Sequence, residues 1–344
     1  MYIVIAPIHQ TFFSGRIWMG LDLERIKHVL ENDFHHTVQI LDFAKIAANY
    51  ELLPRQSVLF YTASYNESYN QFIKDVVFDI SQSRPDVIVL PDINQLFSFE
   101  NKGYQELYKK RIGIEKVKGS YYGDAEDFPI EKTVFPFVYK SLKGAMSSGV
   151  RLINNQEEFE VVSKEAKKLS FLERLRLYKK AKNKHKDQSL QPVKHYSDVN
   201  FSKFFSKRNP FVAQEFVSGL ECDYKVLVFG EKYYVLKRKV RDNDFKASGS
   251  GKFEWTEPSE KVLDYAREVV TKMNVAINSL DIVETENYCA LVEYQGIGFG
   301  PLTLIGSPYY FQKSSTGWHK VLTQSNLEEE YAQALHHGLT QQRP

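Results

Sequence analysis

Apolar positions repeat along this chain with two different periods, and the periods divide it into regions. Residues 2–6 (YIVIA) form a short apolar run ending at Pro7, the profile of a buried strand. In DLERIKHVLEND, Leu23, Ile26, Val29 and Leu30 recur at helical spacing and mark one face. HTVQILDF alternates as a second strand, QSVLFYTA supplies a third, NQFIKDVVFDISQS a helix, and RPDVIVLPD a fourth strand rich in β-branched residues. This β-α-β-(α)-β-α-β order predicts a mostly parallel sheet with helices on both faces. No glycine fingerprint follows the first strand, so nothing there supports a dinucleotide site.

Beyond the fourth strand the pattern changes. ENKGYQELYKKRIGI predicts a helix with Tyr104, Leu107 and Tyr108 facing inward, ending near Gly113. TVFPFVYKSL and VRLI read as strands around the small-residue loop GAMSSG. EEFEVVSKEAKKLSFLERLRLYKK is helix-like, but its apolar stripe stops at about Tyr178. Residues 164–186 carry ten Lys or Arg against two Glu, which reads as a solvated surface segment or as an arm for an acidic polymer, an anionic lipid surface or a phosphorylated substrate. PFVAQEF opens a further strand region, where ECDYKVLVFGEKYYVLKRKV forms two strands about the turn FGEK. A Gly/Ser-rich loop, DNDFKASGSGKFEW, precedes an amphipathic helix marked by Val262, Tyr265, Val269 and Met273. The tail from GWHKVL onward reads as helical through about His337.

The chemistry concentrates in LDIVETENYCALVEYQ, residues 280–295. It reads as two strands joined by the polar turn ETEN, with Asp281 and Glu293 as acids in apolar surroundings. A hairpin about residues 284–287 can project both carboxylates from one face, with Gln295 one alternation beyond Glu293. Such an oxygen-only set suits Mg²⁺. The competing reading is two strand-edge acids, one of them paired with Lys or Arg.

Composition narrows the field without choosing a function. The 344 residues suffice for two domains or three small ones, and 24 Phe and 21 Tyr provide bulk for substantial cores. A net charge of +2 offers no global case for nucleic acid or membrane. Cys222 and Cys289 are the only cysteines and lie far apart, which argues against a disulfide framework and fits a reducing compartment. MYIVIAPIHQ lacks the features of a signal peptide, no apolar run is long enough to span a bilayer, and the expected location is cytoplasmic. No Ser-His-Asp or Cys-His signature suggests a side-chain nucleophile.

Six blocks in order across residues of about 100–300 resemble the ATP-grasp superfamily, nearest in pattern to the ribosomal-protein glutamate ligases and similar carboxylate–amine ligases. ENKGYQELYKKRIGI resembles the helix that precedes the grasp domain, which puts Lys102 in the nucleotide site. PFVYKSLKGAMSSGV resembles the strand with a phosphate-contacting lysine, here Lys140, followed by a lid loop at residues 144–149 containing Ser147 and Ser148. AQEFVSG resembles the hinge against which adenine packs, implying Gln214, Glu215 and Phe216. In ECDYKVLVFGEKYYVLKRKV the resemblance gives Asp223 to the ribose and Arg238 to phosphate, and in DFKASGSG it gives Lys246 and Ser248 to the nucleotide. The metal acids fall on Asp281 and Glu293, while Gln295 stands where the family has Asn.

What this implies is an α/β N-terminal domain with a mostly parallel sheet (1–115), then an ATP-grasp fold of two α+β subdomains. These are a small or lid subdomain (116–213) with a basic helical insertion at 164–190, and a C-terminal subdomain with the metal site (214–344). The implied cofactors are ATP and Mg²⁺, with Mn²⁺ as a substitute. The implied reaction joins a carboxylate to an amine through an acylphosphate, with Arg238 and Lys246 as catalytic cations. An ATP-grasp kinase and a non-catalytic nucleotide-binding module remain alternatives. The partners would be small-molecule or polymer-end carboxylates and amines, neither nucleic acid nor a membrane span, with a homodimer allowed. Substrate would lie against FFSGRIWMG and GIGFGPLTLIGSPYYF, which offer Phe12, Phe13, Trp18, Tyr309, Tyr310 and the cation Arg16.

Overall fold

The computed structural model describes residues 1–16, 19–144, 149–166, 175, 208–242 and 244–341. Most of the basic stretch 164–190, and both Ser147 and Ser148, lie outside them.

The first sheet is built from β1 (Tyr2–Ala6), β4 (Thr37–Ile40), β5 (Ser57–Tyr61) and β6 (Ile88–Leu90), all parallel, in the order β4-β1-β5-β6. A small hairpin of β2 (Phe13–Arg16) and β3 (Met19–Gly20) follows β1. Alternation sends Ile3, Ile5, Val58 and Phe60 to one face, where Ile26 and Leu30 of α1 (Leu23–Asn32) cover them. Val4, Ala6, Leu59 and Tyr61 face the other way, under α2 (Phe43–Ala48) and α3 (Glu67–Ser83). The predicted parallel sheet with helices on both faces is therefore present. Asp22 and Asn66 cap α1 and α3 by accepting from backbone N–H groups of the first turn.

Two short helices, α4 (Ile93–Ser98) and α5 (Lys102–Arg111), lead to an antiparallel sheet. It contains β7 (Gly119–Tyr122), β8 (Phe137–Ser141), β9 (Val150–Ile153) and β10 (Phe211–Glu215) in the order β7-β10-β8-β9, with α6 (Gln156–Ala166) between the last two in sequence. Phe128, Phe137, Phe159 and Phe211 form its core.

The third sheet is also antiparallel. Its long strands are β11 (Cys222–Phe229), β12 (Lys232–Lys239), β14 (Ile277–Glu284) and β15 (Cys289–Gln295). The short β13 (Phe253–Glu254) pairs with β12, and β16 (Tyr309–Ser314) and β17 (Gly317–Leu322) extend the order to β15-β14-β11-β12-β16-β17. α7 (Glu260–Met273) buries Val262, Tyr265, Val269 and Met273 against one face, as its spacing predicts. α8 (Leu302–Ile305) is a single turn. α9 (Leu327–Gln341) is shared between the third sheet and the first, since Leu335 and Leu339 join Leu227, Phe229, Ile3 and Ile5 in one core.

Two sequence expectations need correction. GWHKVL is β17 rather than the start of a helix, because all six of its residues find cross-strand partners on β16. Leu107 points outward at 52% exposure, and the buried side of α5 instead carries Lys102, Gln105, Glu106, Tyr108 and Lys109. Tyr108 and Tyr104 do pack on the core of the third sheet, as their spacing predicts.

Candidate functional site

The acid hairpin forms as expected, with one irregularity that decides its chemistry. Next to the turn, Glu284 pairs with Cys289, Val283 with Ala290 and Ile282 with Leu291. Continued unchanged, that register would set Asp281 against Val292 and turn Glu293 to the opposite face. The register slips by one residue between Asp281 and Ile282, so Glu293 stands opposite Asp281 and Gln295 opposite Ser279. Val292 is the extra residue, and its carbonyl oxygen accepts from Lys140 Nζ at 3.3 Å.

Lys140 reaches that carbonyl from the second sheet. It lies on β8 across from Val212 of β10 and is 4% exposed. Burial pulls its pKa down from 10.5 to about 8; Lys109 and Lys102 push the same way, against Glu106 and Glu293. Lys102 enters from the first turn of α5, where Asn101 caps the helix by accepting from the Tyr104 N–H. Its Nζ lies 3.5 Å from Glu293 and donates to the Gly144 carbonyl at 2.8 Å, at the start of the small-residue loop. Lys140 and Lys102 thus meet β15 where the second sheet adjoins the third, one at the Val292 carbonyl and the other at Glu293, which stands opposite Asp281.

The acids are held by cations. Arg238 on β12 makes a two-pronged contact with Asp223 on β11, both bonds 2.7 Å, and its Nη2 lies 2.9 Å from Asp281. Lys225 comes within 3.3 Å of Asp281 from the facing strand. Burial alone would raise the Asp281 carboxyl, but the charges of Arg238 and Lys225 override it and hold it at about 2. Behind Lys140, Glu106 accepts from Lys109 at 2.8 Å and from Gln214 at 3.2 Å, all three side chains being buried. Glu106 and Lys109 were not singled out from sequence; their i,i+3 opposite charges on the misassigned face of α5 were the available signal.

Leu152 of β9 shares the face of Lys140 by alternation, and with Arg151, Asp244, Phe245 and Lys246 it lines a cavity of about 590 Å³. Lys246 Nζ is 3.7 Å from Asp244. Phe216 meets Phe245 edge-on at 5.9 Å. Glu215 accepts from the Lys118 N–H, and the Ser248 carbonyl accepts from Arg241. Among the described residues no three His, Cys, Asp or Glu converge as a metal cluster, so any cation here would rest on the two acids and the Gln295 amide.

The two loops expected to meet substrate do touch. The α-carbon of Gly15 is so close to Phe299 that a β-carbon there would stand 2.2 Å from its carbonyl carbon, and Tyr65 donates to the Gly298 carbonyl at 3.4 Å. Phe13 packs edge-on against Tyr65 at 5.1 Å. Phe12, Tyr309 and Tyr310, by contrast, are core aromatics: Phe12 stacks on Phe60, Tyr309 is 5% exposed, and Tyr310 packs on Tyr234. Trp18 and the side chain of Arg16 lie outside the described residues. His319 bonds to Ser314 and Thr316 within the β16–β17 hairpin.

No protein-family model and no curated protein matches the chain. Solved structures do match over nearly its whole length. The crystal structure of D-cycloserine synthetase DcsG aligns at 9% identity over 98% of this chain and 99% of its own, with a TM-score of 0.54. The macrocyclase MdnC of Microcystis aeruginosa MRC, bound with precursor peptide MdnA, aligns at 10% identity over 96% and 98%, with a TM-score of 0.50. The ADP complex of N5-carboxyaminoimidazole ribonucleotide synthetase purK aligns at 10% identity over 90% and 73%, with a TM-score of 0.51. One parallel α/β sheet followed by two antiparallel sheets is the fold shared with these structures, the ATP-grasp fold.

Proposed function

We propose that the chain is an ATP-dependent ligase that joins a carboxylate to an amine. One observation carries the reading. Lys140 and Lys102, from outside the third sheet, converge on the edge of that sheet where the acids Asp281 and Glu293 stand side by side. Cations facing paired oxygen donors suit a triphosphate bound with a divalent metal ion. In the proposal residues 1–115, 116–213 and 214–344 act as substrate domain, lid and metal-bearing subdomain. Phe216, Glu215 and Gln214 flank the base, Asp223 takes the ribose, and Lys246, Ser248, Lys102 and Lys140 receive the phosphates. Asp281, Glu293 and Gln295 would hold Mg²⁺, which offsets charge on the transferred phosphoryl group when bound.

The chain's own part in the chemistry is placement and neutralisation. A carboxylate oxygen of the substrate attacks the γ-phosphorus as ADP departs, and Arg238 and Lys246 offset the charge that develops. The amine then attacks the acyl carbon, inorganic phosphate leaves, and the amine loses its proton. The contacts now made by Arg238 to Asp223 and Asp281 would have to be shared with phosphate, which makes nucleotide affinity sensitive to salt.

Hydroxylamine decides the matter, because it traps an acylphosphate as a hydroxamate, which iron(III) then turns into a coloured complex. With MgATP and a panel of amino acids, dipeptides and sugar acids, the proposal requires ADP and hydroxamate together for at least one carboxylate. ADP with a stable phosphorylated product and no hydroxamate would make the protein a kinase, a reading that the longer Gln295 side chain in the metal strand keeps open. MgATP binding without turnover across the panel would make it a nucleotide-binding module.

A further inference from the structure

A second cavity, of about 460 Å³, lies behind the acid hairpin where the edge strand β6 approaches the start of β14 under α9. Phe60, Ile88, Leu90, Ile277 and Leu335 form apolar walls, and Asp92 and Gln95 stand at its polar end. This volume falls within the range of about 300–1,000 Å³ typical of small-molecule sites. The polar end is unusual for a core. Asp92 caps α4, its Oδ1 accepting from the Gln95 N–H at 2.8 Å and its Oδ2 from Asn94 at 3.3 Å, and no salt bridge to it occurs among the described residues. Arg111, the cation whose charge is felt at Asp92, is engaged with Asn94 and lies over the Tyr108 ring at 4.9 Å. The Asn94 backbone N–H is a third donor to it, which leaves the carboxylate about one acceptor position to spare.

The neighbouring amides are also short of partners. Gln95 is 1% exposed, and its amide N–H group finds only the Met273 sulfur, at 3.9 Å. Asn278 is fully buried; it donates to Gln95 at 3.1 Å, while its own Oδ1 has no partner. Buried polar groups in this state are the exception in folded proteins. Alternation sends Asn278 to the face opposite Ile277, Ser279 and Asp281, so Gln95, which lines the cavity, is the group that joins it to the buried Asn278 amide.

We propose that this cavity binds a small organic ammonium compound with an apolar body, its cation directed at Asp92. A half-buried acid without an ion pair beside apolar walls selects a cation that brings its own hydrophobic surface, since a hydrated metal ion would leave those walls unfilled. The site is independent of the proposed ATP chemistry and is tested without nucleotide. Gln95 also ties it to the hairpin: a β-carbon at Gly296, the residue after Gln295, would stand 2.1 Å from Gln95 Oε1.

Tryptamine is the probe, with indole-3-acetate and indole as anionic and neutral counterparts, read by calorimetry on the full chain. The expected result is saturable binding of tryptamine at least tenfold tighter than of either counterpart. Asp92→Asn keeps a cap acceptor for α4 and should abolish that preference. In the wild type, tryptamine should slow hydrogen exchange at amides 88–95 and 334–338. No binding, equal affinity for indole-3-acetate, an unchanged preference in Asp92→Asn, or protection at 138–141 and 281–293 instead would each overturn the assignment, the last by placing the amine in the proposed ATP site. The wild-type measurements decide even where the variant does not fold.

Discussion

Replacing Lys140 with Met should make the nucleotide-free protein more stable at pH 7. The side chain is 4% exposed, and burial lowers its pKa from 10.5 to about 8. At about 1.36 kcal/mol per unit, keeping the ammonium inside costs the folded state about 3 kcal/mol. Met occupies a similar volume without charge, and loss of the 3.3 Å bond to the Val292 carbonyl returns about 1 kcal/mol of that. The expected gain is about 2 kcal/mol. Its pH dependence is the sharper signature. Below pH 8 the lysine is charged in both states, and wild type bears the whole cost. Between pH 8 and 10.5 the folded protein has released the proton while the unfolded chain still holds it, so wild-type stability rises with pH and the advantage of Met disappears. Tyrosines such as Tyr65 and Tyr108, pushed up to about 12 by burial, titrate alike in both proteins and cancel from the difference. Urea unfolding at pH 7, 8, 9 and 10 measures it. A variant less stable than wild type at pH 7, with a difference that does not move with pH, would refute the argument that a charged lysine is stored here at a cost. The same variant should lose most of its affinity for ATP.

Other expectations can be checked with the same tools. Gly15→Ala should destabilise by about 2–4 kcal/mol in urea, because φ is +81° and the new β-carbon meets the backbone of Phe299, which cannot swing away. Asp281→Asn should cost about 2 kcal/mol at neutral pH, since a carboxyl held at about 2 rather than 3.8 contributes stability above about pH 4 that fades as pH falls toward 2. Its ADP formation should drop by about 100-fold. Glu106→Gln strands the buried Lys109 ammonium and should cost about 3 kcal/mol by urea unfolding. Deleting Val292 should keep Glu293 opposite Asp281 in a regular ladder but remove the bulged carbonyl that Lys140 reaches, and should weaken nucleotide binding, whereas Val292→Ala keeps the bulge and should bind normally by calorimetry.

Where one face of an element is apolar, its spacing in the sequence was enough to place it. The stripe Leu23, Ile26, Val29 and Leu30 is the buried side of α1, and Val262, Tyr265, Val269 and Met273 form that of α7. On α5 the rule held for Tyr104 and Tyr108, which pack on the core of the third sheet, and failed for Leu107, while the side toward Lys140 and Gln214 is polar, with Lys102, Glu106 and Lys109. It failed again at GWHKVL, where pairing with β16 outweighs any local helical preference. Asp281 and Glu293 could be singled out because ionised groups in apolar strands demand a reason. The cations that hold Asp281, namely Arg238 and Lys225, come from β12 and β11, more than forty residues away in sequence, and only the strand order makes them neighbours.

The hairpin shows how far sequence reasoning can reach by itself. Alternation says that two residues of a hairpin share a face only if their register allows it, and the register read outward from ETEN forbids it for Asp281 and Glu293. Both acids nevertheless stand together, because Val292 bulges out of the ladder. Nothing in the composition of CALVEYQ marks Val292 as the residue that yields. What accompanies it is a tertiary contact: the bulged carbonyl is the one that Lys140 reaches from another sheet. A lysine buried at a cost of about 3 kcal/mol has few places to donate, and a carbonyl freed from its ladder is one of them. The irregular strand and the strained lysine therefore offset each other, and together they bring the acid pair to the same sheet edge as the ammonium groups.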